Sequence, residues 1–182
     1  MIISITGTPG TGKTSVSKLL RNKGFEVVDF NKTAIENKFI IGKDKKRKSN
    51  IIDIKKFNKY IKEKYDQKNI IFIEGHLSHL LECVDKVIIL RCHPDELKKN
   101  LSSKGWDNKK IKENVEAEIL DVILCEALEL HDPKNVFEIN VTGKTVDDVF
   151  SSIIEITENR FKNMKKYNIG KIDWSEEILK DF

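Results

Sequence analysis

A glycine-rich segment near the amino terminus constrains the fold of this chain more than any other feature. It reads Gly7-Thr8-Pro9-Gly10-Thr11-Gly12-Lys13-Thr14 and satisfies the pattern G-x-x-x-x-G-K-[ST]. The apolar residues 2–6 before it have the composition of a buried strand, and residues 13–22 after it are suited to a helix. A strand, a glycine loop and a helix in this order predict a phosphate-binding loop.

Each fixed position of this loop has a predicted role in binding a nucleoside triphosphate. Gly7 and Gly12 allow the backbone to turn its N–H groups toward phosphates at the N-terminus of a helix. Lys13 is expected to contact the β- and γ-phosphates, the Thr14 hydroxyl to bind Mg²⁺, and the Ser15 hydroxyl to lie near the α-phosphate. ATP and Mg²⁺ are therefore the predicted cofactors.

Strand and helix signals alternate along the rest of the chain and predict an α/β fold. The predicted strands are residues 2–6, 25–29, 70–73, 86–90 and 136–139, and the predicted helices are residues 13–22, 54–65, 94–102, 108–130 and 145–166. This alternation is typical of a P-loop NTPase fold, with a five-stranded parallel sheet and helices on both faces. We interpret residues 1–182 as a single domain with two excursions, an insert at about 30–53 and a polar turn at about 104–114.

Composition limits the class of protein. With 39% hydrophobic and 34% charged residues, the chain of 182 residues has the composition of a soluble globular domain. No apolar run approaches the about 20 residues of a membrane-spanning helix, and the start of the chain lacks the basic region of a secretory signal. Three cysteines without CxxC spacing predict neither a disulfide framework nor a zinc site. We therefore expect a cytoplasmic protein with no membrane partner.

The basic residues are mostly lysines. Only four of the 33 are arginines, namely Arg21, Arg47, Arg91 and Arg160, and the net charge is +4. Arginine presents a planar fork to phosphate, whereas lysine acts as a point charge, so phosphates here must be bound by a few well-placed arginines or by lysines. The basic run at residues 43–48 is compatible with a solvated loop and with a surface facing RNA or a monophosphate. Direct contact with RNA therefore stays open.

An acidic residue and a histidine follow the third predicted strand. Glu74 stands at the strand end, where P-loop folds place a carboxylate that orients Mg²⁺ or its waters. His76 lies two residues further on and is a candidate catalytic residue near the nucleotide. The alternatives are a solvated strand-end carboxylate for Glu74 and a helix-capping role for His76. We interpret His79 and His131 as ordinary surface or packing residues.

Several segments together resemble one branch of the nucleoside monophosphate kinases. Residues 6–14 are similar to the phosphate loop of these enzymes, and Glu74-Gly75-His76 stands where the branch has a D-x-H motif. Residues 104–110 and 114–119 resemble its lid motif, R-G-Y-x-x-K-K…N-I-x-x-E-I, and residues 172–177 resemble the tails of archaeal members. The chain thus resembles the adenylate kinase isoenzyme 6 family in its archaeal form.

This resemblance implies phosphoryl transfer from ATP to a nucleoside monophosphate, most of all AMP, together with ATPase activity. It places nucleotide contacts on Gly10, Gly12, Lys13, Thr14 and Ser15. It further implies that the insert binds the monophosphate and that the turn at 104–114 is a short lid, with a nucleotide contact from Lys104. A role in late maturation of the small ribosomal subunit and its 16S rRNA is also implied, with the platform ribosomal protein of the pre-ribosomal particle as partner.

Three departures from the family pattern bear on activity. Glu74 replaces an aspartate, and Lys104 replaces the lid arginine and so loses its bidentate fork. Residues 31–36 contain no arginine where a phosphate clamp is often found, although Arg47 or a nearby lysine can substitute. Weak monophosphate kinase activity, or a dominant ATPase, would follow from these replacements.

Two other functions are compatible with the phosphate loop. One is an ATPase switch that releases a ribosomal partner and has only incidental kinase activity. The other is a small-molecule kinase of the shikimate or dephospho-coenzyme A type, because such kinases carry a carboxylate at the position of Asp29, the last residue of the second predicted strand. Two aromatic features also stay open: Trp106 can stack on adenine or pack on the lid hinge, and the tail from residue 167 to residue 182 can dock on the body or on a partner.

Overall fold

The computed structural model describes residues 1–44, 49–65 and 69–181. Its strands are β1 (Ile2–Gly7), β2 (Glu26–Asp29), β3 (Ile40–Asp44), β4 (Ser49–Ile52), β5 (Ile71–Glu74), β6 (Lys86–Arg91) and β7 (Val136–Asn140). Its helices are α1 (Lys13–Asn22), α2 (Phe30–Glu36), α3 (Ile54–Lys64), α4 (Pro94–Ser103), α5 (Asn108–Ile119), α6 (Val122–Leu130) and α7 (Val146–Glu158). Among these helices, none combines the length and the apolar content needed to cross a membrane.

The main sheet has five parallel strands in the order β2-β5-β1-β6-β7. These are the five strands predicted from the sequence, and the α/β P-loop NTPase fold is confirmed. The order changes direction at β1, because the chain first adds strands on one side of it and then on the other. Ligands of open α/β sheets bind at the carboxyl edge of such a switch point, which is where the phosphate loop leaves β1.

Two apolar cores cover the two faces of the sheet, as the parallel arrangement requires. Within β1, Ile3 and Ile5 belong to the core beneath α1 and α7, whereas Ile2 belongs to the opposite core with α2 and α3. All three isoleucines are fully buried, and each contributes about 1.5–3 kcal/mol of hydrophobic stabilisation. Ser4 and Thr6 are equally buried on the Ile2 face, and their hydroxyls contact Ser78 and His79 in the turn after β5.

The insert contains a hairpin that was not predicted from the sequence. Between α2 and α3 the strands β3 and β4 pair antiparallel, with a bulge beside Gly42. Strand propensity is low in β3 because it contains Gly42 and Asp44. Phe39, just before β3, and Ile52, at the end of β4, pack in one core with Phe30 and Phe57, and the Phe57 ring lies 4.6 Å from Phe30 and 5.2 Å from Phe39 between centroids. Residues 45–48 of the basic run, including Arg47, lie outside the described residues.

Two predicted helices are wrong in extent. The helix predicted over residues 108–130 is divided into α5 and α6, because Asp121 adopts a left-handed conformation with φ of 54°. The helix predicted over residues 145–166 ends at Glu158, and Arg160 and Phe161 after it also have positive φ. Phe161 leaves the helix to pack on Phe137, with 5.3 Å between ring centroids. Tertiary contacts override helix propensity in both places.

The tail docks on the body of the molecule. Asn168 forms an antiparallel bridge with Phe137 at the outer edge of β7. Further along, the Trp174 ring lies edge-on to His93 with 5.0 Å between centroids, and Glu177 Oε1 lies 3.3 Å from His93 Nε2. Of the two alternatives for the tail, docking on the body is therefore the one observed for residues 168–177. Phe182 lies outside the described residues.

Candidate active site

The phosphate loop connects β1 to α1 and depends on glycine at its ends. Gly7 has φ of 139°, and a Cβ there would lie 2.4 Å from the carbonyl oxygen of Leu90. Gly12 has φ of 88° and is the N-cap of α1, and a Cβ there would meet no described atom within 4 Å. Gly10 packs against Leu97 of α4. The loop thus packs closely against the protein at Gly7 and Gly10. At Gly12, the N-terminus of α1, it is open, as phosphate binding requires.

Lys13 is buried inside the loop. The residue is only 7% exposed, and Nζ donates hydrogen bonds to the carbonyl oxygens of Gly7 at 2.7 Å and Thr8 at 3.0 Å. Burial lowers the pKa of Lys13 to about 8, although the carboxylates of Glu74 and Glu118 oppose this change. A desolvated ammonium group held by carbonyls is suited to move onto the phosphates of a nucleotide.

Glu74 and Thr14 form a pair of oxygen donors beside the loop. Glu74 ends β5 and is 7% exposed, so it is not a solvated strand-end carboxylate. The Thr14 hydroxyl donates to Glu74 Oε1 at 3.2 Å. Burial and then Asp29 raise the pKa of Glu74, against the opposing effect of Lys13. A hydroxyl and a carboxylate are hard oxygen ligands of the kind Mg²⁺ prefers, so these residues fit the ion. Ser15, next along α1, is exposed.

His76 lies just beyond β5 and is neutral at physiological pH. Its carbonyl oxygen accepts a hydrogen bond from the Thr6 hydroxyl at 3.2 Å. Burial, followed by the charge of Lys13 and the ring of His79, lowers the pKa of His76 to about 4. The next short helix, Ser78–Leu80, receives no side-chain cap from the described residues, so His76 does not cap it. A neutral imidazole can accept a proton, which an imidazolium cannot, and its free ring nitrogen can orient a water by accepting a hydrogen bond from it.

This protonation state gives a direct prediction. In an NMR titration of the histidine ring signals, we expect His76 to titrate with a midpoint near pH 4, well below the ordinary 6.5. In Lys13→Met the midpoint should rise, because a positive charge that disfavours the imidazolium has been removed. A midpoint near 6.5 in the wild type, or no rise in the variant, would contradict the described environment.

His79 is more than an ordinary packing residue. It is fully buried, with Nδ1 3.0 Å from the Thr6 hydroxyl and Nε2 2.9 Å from the Glu126 carboxylate. Its carbonyl oxygen accepts a hydrogen bond from His131 Nε2 at 2.7 Å. These contacts attach the turn after β5, and with it His76, to α6. No local sequence pattern signals this arrangement, since 47 residues separate the imidazole from its carboxylate partner.

Two of the arginines in the described ranges are engaged in structural contacts. Arg21 donates to the carbonyl oxygen of Val27 at 3.3 Å, and Arg91 is buried among carboxylates. Arg160 lies in the turn that follows α7. Arg47, the candidate substitute for a phosphate clamp, lies outside the described residues. The charge of Arg21 nevertheless opposes the raised pKa of Glu74, and further positive charge among the described residues of the site comes from lysines.

Two lysines of the 104–110 segment contribute charge to the site. Lys104 is exposed, and its charge adds to the lowering of the pKa of Lys13. Lys110 likewise contributes to the lowered pKa of His76, and its Nζ lies 4.1 Å from the centroid of the Trp106 ring. Trp106 itself packs against the core beneath α1 and α7. This packing agrees with the interpretation of Trp106 as a hinge residue, and its stacking on adenine stays a prediction.

Asp29 has a structural role that accounts for it. Its carboxylate accepts a hydrogen bond from the backbone N–H of Lys32 at 2.9 Å and so caps α2. The suggestion of a small-molecule kinase of the shikimate or dephospho-coenzyme A type depended on this residue. A helix cap explains the carboxylate without that function.

One group of residues next to the loop was not predicted from the sequence. The Thr8 hydroxyl donates to Glu118 Oε2, and Glu118 Oε1 accepts from Arg91 Nε at 2.8 Å. Both Arg91 and Glu118 are buried. The available signals were an arginine ending an apolar strand and an acidic residue inside the lid motif. Neither signal indicates that the two meet at the phosphate loop.

Comparison with known proteins identifies the family. A family model described as an AAA domain matches residues 3–121. A protein of Methanocaldococcus jannaschii named "Putative adenylate kinase" is 40% identical over 98% of this chain and 96% of its own length. A protein of the same name from Thermococcus gammatolerans is 43% identical over 97% of this chain and 94% of its own. The chain belongs to the family of these archaeal relatives. The family inferred from the sequence motifs is confirmed.

Solved structures agree on the fold of this adenylate kinase family member. The thymidylate kinase of Candida albicans superposes with a TM-score of 0.56 at 15% identity, covering 87% of this chain and 91% of that one. The protein TT1252 from Thermus thermophilus gives a TM-score of 0.55 at 14% identity, covering 90% of this chain and 98% of that one. At such low identity the likeness concerns the fold alone.

Proposed function

We propose that this protein is an ATP-dependent nucleoside monophosphate kinase that transfers the γ-phosphoryl group of ATP to AMP and forms two ADP. The observation that carries the proposal is the meeting of Lys13, Thr14, Glu74 and His76 around one phosphate loop at the carboxyl edge of the sheet. Membership of the archaeal adenylate kinase family supports the same reaction.

The proposed mechanism depends on positioning and charge. Backbone N–H groups of Gly10 and Gly12 and the Ser15 hydroxyl hold the phosphates, and Lys13 moves from its carbonyl partners to the β- and γ-phosphates. Thr14 and Glu74 would hold Mg²⁺, which when bound neutralises charge on the phosphate oxygens. Lys104, at the start of the proposed lid (residues 104–114), adds positive charge from the open side. The proposed insert (residues 30–53) receives the monophosphate.

A second activity, ATP hydrolysis, is favoured by His76. A neutral imidazole beside Lys13 can orient a water toward the γ-phosphate when no acceptor is bound. The acceptor phosphate of AMP is already a nucleophile and has less need of such a base. We therefore include a slower ATPase in the proposal. The sequence resemblance further supports, as a proposal, a role in small-subunit maturation with a platform ribosomal protein as partner.

Measuring acceptor specificity tests the proposal. We expect the purified protein, given ATP and Mg²⁺, to form ADP fastest when AMP is added, and more slowly with other nucleoside monophosphates. Without an acceptor, a slower release of inorganic phosphate should remain. The matched control is a reaction with adenosine, which has the same base but no phosphate to accept the group. If every monophosphate gives only the hydrolysis background, the ATPase switch replaces the kinase.

A further inference from the structure

A buried ion cluster lies at the end of β6, next to the phosphate loop. Arg91 donates to three carboxylates from three elements: Glu118 of α5, Asp121 at the break between α5 and α6, and Glu138 of β7. Burial by itself would lower the pKa of Arg91, but these carboxylates raise it overall, so the guanidinium stays charged. Such a cluster is costly to desolvate, and its members need specific partners.

One of the three carboxylates also reaches the phosphate loop. Glu118 accepts from Arg91 Nε and from the backbone N–H of Cys92 through Oε1, and from the Thr8 hydroxyl through Oε2. The carbonyl oxygen of Thr8 in turn accepts from Lys13 Nζ at 3.0 Å. Arg91 is therefore joined, through one carboxylate and the Thr8 residue, to the lysine of the phosphate loop.

Glu118 also connects the loop to the segment proposed as the lid. It lies near the C-terminal end of α5, and this helix begins at Asn108, directly after the turn that contains Lys104. The helix rises about 1.5 Å per residue, so the stretch from Asn108 to Glu118 spans about 15 Å. One end of α5 is thus fixed to the phosphate loop while the other end carries the lid turn.

We propose that Glu118 is a positioning residue for nucleotide binding: its carboxylate fixes Thr8, places a negative charge near Lys13 and anchors the lid helix to the phosphate loop. The proposal depends on the proposed function only in that the loop binds ATP. The carboxylate and the ammonium group are linked through Thr8, whose hydroxyl donates to Glu118 and whose carbonyl oxygen accepts from Lys13 Nζ.

Glu138 provides a matched control. It is buried to the same degree as Glu118, 2% against 3% exposed, and binds the same guanidinium. Its second oxygen accepts from the backbone N–H of Gly170 in the tail at 2.9 Å. Its hydrogen bonds within the described ranges thus go to Arg91 and the tail, away from the phosphate loop. Glu118→Gln and Glu138→Gln therefore remove equivalent charges from the cluster, and only the first alters the contact with Thr8.

The experiment measures binding of the β,γ-imido analogue of ATP by calorimetry, together with thermal unfolding, for both variants. We expect both to unfold at lower temperature, and Glu118→Gln alone to bind about tenfold or more weakly, the size of a lost charged hydrogen bond. Thr8→Val should weaken binding too, and Thr8→Ser should retain it.

Two results would overturn the proposal. One is an equal loss of affinity in Glu118→Gln and Glu138→Gln, in proportion to their loss of stability, which would make Glu118 structural only. The other is wild-type affinity in Thr8→Val, and this variant decides the matter if Glu118→Gln fails to fold. Binding of the analogue needs no acceptor and no turnover. A failure of the kinase function would therefore leave this result unaffected, and the reverse also holds.

Discussion

Replacing Lys13 by methionine is expected to reduce both phosphoryl transfer and ATP hydrolysis by at least about 10³-fold, the scale of losing one preorganised charge at a transition state. Methionine fills similar space without the charge. The γ-phosphate would then keep its negative charge uncompensated in a loop whose lysine is buried, where screening by water is weak. Turnover is measured with saturating ATP, AMP and Mg²⁺.

Stability measurements separate this effect from misfolding. The pKa of Lys13 is lowered from 10.5 to about 8, so keeping it charged in the folded protein costs roughly 3 kcal/mol below pH 8. This cost falls as the pH rises from about 8 to 10.5, because the folded protein then holds a neutral amine. We therefore expect Lys13→Met to unfold at a temperature no lower than the wild type at pH 7. Above pH 8, the unfolding temperature of the wild type should rise relative to that of the variant.

Lys18 supplies the control for this substitution. It lies on the same helix but is exposed, so Lys18→Met changes the net charge equally without touching the loop. We expect its turnover to match that of the wild type. Undiminished turnover in Lys13→Met, or an equal loss in both variants, would show that the loop does not act as assigned.

Replacing Glu74 by glutamine is expected to raise the Mg²⁺ concentration needed for half-maximal turnover by about 10- to 100-fold. The amide that replaces the carboxylate is neutral and holds the cation and its waters less strongly. In the wild type, burial raises the pKa of Glu74, so the carboxylate takes up a proton at a higher pH than an ordinary glutamate does. Turnover at limiting Mg²⁺ should therefore begin to fall at that higher pH as the solution is acidified. Glu74→Gln should lose this pH dependence.

Replacing Asp29 is expected to lower the pKa of Glu74 and so to extend turnover at limiting Mg²⁺ to lower pH. It is paired in register with Glu74 on the neighbouring strand, and its charge contributes to the raised pKa of Glu74. Asp29→Asn keeps a good capping residue for α2 while removing that charge. Its pH profile at limiting Mg²⁺ should therefore move to lower pH. A pH profile that is unchanged in both Glu74→Gln and Asp29→Asn would mean that Glu74 does not hold the ion. Loss of all phosphoryl transfer in Asp29→Asn would instead favour the small-molecule kinase, which needs the Asp29 carboxylate.

The fold was largely predictable because its signals are local. Buried parallel strands such as residues 2–6 and 86–90 are apolar runs rich in β-branched residues, which few other structures accommodate. Local patterns did not reveal the break at Asp121, where a distant guanidinium binds the side chain and holds the left-handed residue between two helices. The hairpin of the insert was missed for the same reason, since the residues at its ends, Phe39 and Ile52, pack in a core with residues from other segments.

The candidate site was predictable where its functional residues lie close together in the sequence. The phosphate loop positions Gly7, Gly12, Lys13 and Thr14 within one short segment, and Glu74 follows from its place at the end of a strand. The contacts of Glu118 with Thr8 and Arg91 join residues 110 and 27 positions apart, and no periodicity reports such distances. Protonation states also depend on burial, so the neutral His76 became evident only in the folded structure.

The fate of the γ-phosphoryl group tests the central claim most directly. ATP labelled in the γ-phosphate is incubated with the protein, Mg²⁺ and AMP, and the products are separated and counted. A nucleoside monophosphate kinase breaks the bond between the β,γ-bridging oxygen and the γ-phosphorus and forms a new bond from a phosphate oxygen of AMP. We predict that most of the label appears in the β-phosphate of ADP, in a yield that rises with AMP and is lost in Lys13→Met. Label recovered only as inorganic phosphate, at the same rate with and without AMP, would contradict the kinase assignment.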